Sequence, residues 1–116
     1  MKKEITVFLA LLHELQKIDP EFPLQYAVCL MEISLDEGLS LTALSAKTGM
    51  PLSTISRIVG ALSRQRQRGA PYGLIRAAIS PHERRKKELY LTTRGRAIIR
   101  AITFIVEQAQ DQRLQA

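Results

Sequence analysis

A mainly α chain with one small β-hairpin, α+β in class, is what the 116 residues predict, and three observations carry that expectation. Apolar residues recur at helical spacing over five separated stretches. Only two short runs, 74–79 and 88–91, have strand character, and they sit side by side in the chain. The composition, 46% apolar with three Tyr, three Phe and no Trp, suits an aliphatic helical core and is too apolar for a disordered chain. At this length a single domain covering residues 1–116 is expected.

From Lys3 to Ile18 the apolar residues Ile5, Phe8, Leu9, Leu12 and Leu15 fall on one helical face, which Val7 and Leu11 widen. Asp19-Pro20-Glu21-Phe22-Pro23 breaks that helix. Pro23 suits the first turn of a second helix, which runs to about Asp36 and stops before Gly38, with Leu24, Ala27, Val28, Met31 and Leu35 as its inward stripe. Ser40 or Thr42 can cap a short third helix over Ala43 to Thr48. Gly49-Met50-Pro51 then forces a tight turn. A fourth helix follows from Leu52 to about Gln65, with Ile55, Ile58, Val59 and Leu62 inward and Ser53, Ser56, Arg57 and Gly60 outward. Arg64 to Gly73 lacks an apolar period and ends in turn formers, so it reads as a loop. The two strands come next, joined by a long tip from Ser80 to Lys87. Thr92 or Thr93 caps a last helix to about Gln112, apolar around most of its circumference.

The net charge of +6 is unevenly spread. Residues 1–56 hold four Lys against seven Asp and Glu, whereas residues 57–100 hold twelve Lys and Arg against Glu83 and Glu88. A confined cationic surface on a mildly acidic remainder suits a polyanion, of which nucleic acid is the commonest. No apolar run reaches the length of a membrane span, and Met1-Lys2-Lys3 does not open a cleavable signal, so no membrane partner and a cytoplasmic location are expected. The single Cys29 can form no internal disulfide and reads as a small core residue. His13 and His82 are far apart in the pattern, no metal-spaced Cys/His set exists, and no glycine-rich phosphate loop occurs. An enzyme is not expected, nor a cofactor.

Two helices around Gly49-Met50-Pro51, followed by a basic hairpin, give the order helix, helix, strand, strand of a winged helix-turn-helix, with residues 39–66 as the helix-turn-helix and 73–92 as the wing. On the second of those helices Ser53, Thr54, Ser56 and Arg57 stand where hydroxyls reach phosphates or base edges and one Arg can take a guanine in bidentate fashion. A capping role for Ser53 or Thr54 stays open at this point. Arg64, where that helix gives way to the loop, belongs to the same cationic set. At the hairpin tip Arg84 and Arg85 suit the negative potential of a narrow minor groove, and Lys86 and Lys87 suit phosphates or a solvated role alike. Arg94 and Arg96 open the last helix, where the dipole disfavours cations, so each needs a phosphate or an acidic partner within the fold.

The segments Phe22-Pro23-Leu24-Gln25-Tyr26-Ala27-Val28, Ser53-Thr54-Ile55-Ser56-Arg57, Gly73-Leu74-Ile75-Arg76 and Glu83-Arg84-Arg85 through Leu91-Thr92-Thr93-Arg94-Gly95 resemble, in order, the MarR family of bacterial transcriptional regulators. The resemblance covers roughly residues 22–100. It implies a homodimer of winged-helix lobes on a palindromic operator of double-stranded DNA, often released by a small-molecule effector. It also implies that the acid Glu83 orients Arg85 at the wing tip. The chain departs from the family in a longer link between Arg64 and Tyr72, where Arg66 and Arg68 can add backbone contacts. Ser45 stands where Ala is usual, and Pro51 replaces a capping residue. One helix follows the wing where the family often has two. The apolar helices at 1–20 and 93–116 are expected to pair across a two-fold axis, because a monomer would expose too large a patch. An accessory or protein-interaction role in a mobile element or a replication complex is the alternative.

Overall fold

The computed structural model describes residues 1–64 and 70–115, with the side chains of 112–115 left out. Five helices and a two-stranded antiparallel sheet follow in the order α1 (Lys2–Ile18), α2 (Leu24–Leu35), α3 (Leu41–Thr48), α4 (Leu52–Leu62), β1 (Ile75–Ile79), β2 (Lys87–Leu91) and α5 (Thr93–Gln115). The residues group into two compact units, 1–22 with 97–116, and 23–96.

The second unit is a winged helix-turn-helix. Its fully buried core joins Leu30 and Ile33 of α2, Leu44 of α3, Ile55, Ile58 and Leu62 of α4, and Leu74, Ile75 and Leu89 around the hairpin. Aliphatic side chains of this size each contribute about 1.5–3 kcal/mol when removed from water. Ser40 is the N-cap of α3, accepting from the Ala43 amide at 3.1 Å. Gly49 closes α3 in the left-handed region at φ 74°, which glycine adopts without a side-chain penalty. Ser45, in place of the usual Ala, donates to the Met50 carbonyl at 2.6 Å and so ties the turn to the helix before it.

The hairpin register pairs Ile75 with Leu91 and Ala77 with Leu89, which puts the buried Leu89 and Leu91 on one face as the alternation expects. A third segment adds to it. The Gly38 amide donates to the Leu89 carbonyl at 2.7 Å, the Leu89 amide donates to the Leu39 carbonyl at 3.0 Å, and Ser40 and Glu88 form an antiparallel bridge. The linker between α2 and α3 is thereby stitched to β2.

Two expectations are corrected here. α4 ends at Leu62 and not near Gln65, a residue outside the described ones. Its last carbonyls are taken by the returning chain: the amides of Tyr72, Gly73 and Leu74 donate to Ala61, Ser63 and Leu62, and the Ser63 hydroxyl bonds back to Val59. With its acceptors satisfied there, a further helical turn gains nothing. The inward stripe of α2 is also different. Ala27, Cys29, Leu30 and Ile33 are buried, whereas Leu24 is 74% and Leu35 80% exposed. Nine of the twelve α2 residues are apolar, so periodicity cannot choose a face; packing against α3, α4 and β2 does.

In the first unit α1 has no fully buried residue. Ile5, Phe8 and Leu9 remain exposed on α1 and Phe104 on α5. A cavity of about 310 Å³ opens among Val7, Phe8 and Leu11 of α1 and Val106 and Ala109 of α5. No described helix is long and apolar enough to cross a membrane.

Candidate nucleic-acid interface

The first two turns of α4 alternate between the core and water. Ile55 and Ile58 are buried, Ser53, Ser56 and Arg57 are exposed, and Thr54 is half-buried. The cap position belongs to Pro51, and no side chain caps this helix. The hydroxyls of Ser53 and Thr54 are therefore not used as caps. Among the described residues, Ser53, Ser56 and Arg57 have no side-chain partner, so three polar groups stand ready at one helix end.

The wing tip is built by Ser80. This buried side chain accepts from the amides of His82 at 3.2 Å and Glu83 at 3.4 Å, while its own amide donates to the Lys86 carbonyl at 2.8 Å. Pro81 to Lys87 are all exposed, which leaves Arg84, Arg85, Lys86 and Lys87 in solvent at the far end of the hairpin. The expected pairing of Glu83 with Arg85 does not form among the described residues. The Lys86 amide donates to the Glu83 carbonyl at 3.0 Å, and this turn brings the Lys86 ammonium to 3.5 Å from the Glu83 carboxylate. With both groups well exposed, that pair adds little stability.

Between α4 and the hairpin lies a groove of about 500 Å³, lined by Ser56, Gly60, Ser63 and Arg64 from the α4 side and by Arg76, Ala77 and Lys87 from the hairpin. Arg64 follows α4 and does not ride on it. Arg66 and Arg68 lie outside the described residues.

Sequence reading missed an electrostatic clamp behind the wing. The Glu37 carboxylate accepts from the Leu91 amide at 2.8 Å and from both terminal nitrogens of Arg96 at 3.0 and 3.2 Å. The Leu91 hydrogen bond, then the Arg96 hydrogen bond, hold this carboxyl below the usual carboxylate range. Arg96 thus has its acidic partner inside the fold. Nothing in the periodicity marks Glu37; its position next to Gly38 in a loop was the only signal. Nearby, the Arg76 guanidinium lies 4.6 Å from the centre of the Tyr90 ring, across the strand pair that sets them opposite. Cys29 is fully buried, and burial, followed by the neighbouring charge of Glu32, pushes its thiol up to about 11.

Comparison with known proteins agrees with this geometry. The model of the IclR helix-turn-helix domain matches residues 34–67. No curated protein sequence matches the chain. Among solved structures, MarR is 24% identical over 89% of this chain and 69% of its own, with a TM-score of 0.63. The transcriptional repressor CouR, bound to a 23-mer DNA duplex, is 25% identical over 97% of this chain and 73% of its own, with a TM-score of 0.64. The MepR–DNA complex of S. aureus is 18% identical over 89% and 77%, with a TM-score of 0.71. The chain has the winged helix-turn-helix fold of the MarR-type regulators, the family its sequence resembles.

Proposed function

We propose that this chain is a sequence-specific, double-stranded-DNA-binding transcriptional regulator that acts as a repressor, in the form of a homodimer on a pseudo-palindromic operator. The observation that carries the reading is the pairing of an unpartnered polar helix end, Ser53, Ser56 and Arg57, with a hairpin tip of four exposed cations in the same compact unit. An arginine in the second turn of such a helix reads guanine, and a thin cationic hairpin follows the neighbouring minor groove or its phosphates. Arg64 and Lys87, which line the groove between the two, suit the backbone that must pass there. The DNA-bound states of the CouR and MepR structures support the reading.

Dimerisation rests on the exposed Ile5, Phe8, Leu9 and Phe104, a set of large apolar side chains that a second copy of the same helices would cover. A small effector that loosens DNA binding accompanies the reading, and a cytoplasmic location follows from it. Selection of bound fragments from random duplexes at about 0.15 M salt is the direct test. The expected result is a palindrome with half-sites about 10 base pairs apart. Binding that falls steeply with salt but selects no sequence would favour the accessory role instead.

A further inference from the structure

The recognition face of α4 carries one residue that its chemistry sets apart. Leu52, the first residue of the helix, is 50% exposed. Its neighbours on that face, Ser53, Ser56 and Arg57, are polar, and the buried side of the helix is made by Ile55, Ile58, Val59, Ala61 and Leu62. Leu52 is the only apolar side chain of α4 classed with the exposed residues. A single leucine in water is ordinary on a protein surface. Its place is not ordinary, because the N-terminal residues of a recognition helix are those that approach base edges.

Of the groups that base pairs display in the major groove, the C5 methyl of thymine is the one apolar group that projects from a base edge. Hydroxyls and guanidinium have acceptors and donors to meet there; a leucine has only that methyl. We infer that Leu52 is a specificity-determining residue that reads a thymine methyl in each half-site. The inference rests on the operator-binding reading and deepens it. Leu52 and Arg57 are separated by roughly 7.5 Å along the helix axis, or about two base steps of DNA at 3.4 Å each. The thymine therefore belongs to the same half-site as the base taken by Arg57.

Replacing thymine by deoxyuridine removes the methyl and leaves the hydrogen-bonding edge unchanged, so duplexes of the selected operator with single replacements isolate this contact. Wild type is expected to lose about fourfold in affinity at one symmetric pair of positions, the value of one buried methyl group. Leu52→Ala should bind the thymine and uracil duplexes equally at those positions, and Leu52→Met should keep the preference. Equal thermal midpoints and equal affinity for random duplex would show that each variant is folded. The inference is overturned if the operator binds but every replacement is neutral, or if the replacement effect survives undiminished in Leu52→Ala. A chain that selects no duplex overturns the operator reading, and this inference with it.

Discussion

At the scale of single residues, Gly95, which closes the last of the segments that resemble the MarR family, has a packing reason to be glycine. A Cβ added there would collide with the Leu74 carbonyl oxygen, the same oxygen that accepts the Thr92 amide. The glycine lets the first turn of α5 press against the entry to β1. Gly95→Ala should lower stability by roughly 1–3 kcal/mol, in the range of overpacking and backbone displacement, as read by urea unfolding. Glu37 gives a prediction in pH. Its carboxyl is held low in the fold, so the charged form is the one that folding favours. The stability it contributes is complete above the ordinary carboxylate range, near pH 4.3, and is lost as the pH falls through the lowered folded value. The stability difference between wild type and Glu37→Gln should therefore be largest near neutrality and shrink on acidification toward pH 3. Cys29 is expected to resist alkylation at pH 8 in the native state and to react on unfolding, since its raised thiol and its burial both withhold the thiolate.

At the scale of elements, the recognition helix and the wing make separable contributions. Arg57→Ala should relax one base position at a cost of about 1–3 kcal/mol, measured by competition between operator variants. Lys86→Ala should weaken all sequences alike and reduce the slope of log affinity against log salt by about 1. An unchanged salt slope in that variant would remove Lys86 from the phosphate contacts. How far these elements could be read from the sequence depended on whether their pattern was local. α4 was legible, because its alternation of Ile55 and Ile58 with Ser53, Ser56 and Arg57 is strong. β2 was legible from Leu89 and Leu91. The face of α2 was not, since an almost wholly apolar helix leaves the choice to its partners. The end of α4 was not, because the Tyr72 and Leu74 amides that satisfy its carbonyls come from about ten residues further along the chain. The partner of Glu83 was missed because turn geometry, which composition does not encode, decides between Arg85 and Lys86.

At the scale of the whole molecule, a homodimer predicts that light scattering at micromolar concentration reads twice the 13.1 kDa chain mass. Phe8→Glu, which places a charge on the exposed apolar face of α1, should shift that reading to one chain mass while the far-ultraviolet helical signal stays. A wild-type protein that is monomeric at that concentration would end the dimer proposal. The stitch between residues 38–40 and β2 has a kinetic meaning. Because the linker before α3 shares hydrogen bonds with the strand behind the wing tip, the helix pair and the hairpin form one preformed shape, and neither must be ordered against the other when a duplex arrives. On the regulator reading, the encounter step is then governed by diffusion and by the attraction of the cationic tip, and falls with added salt. Telling one sequence from another is left to how long each complex lasts.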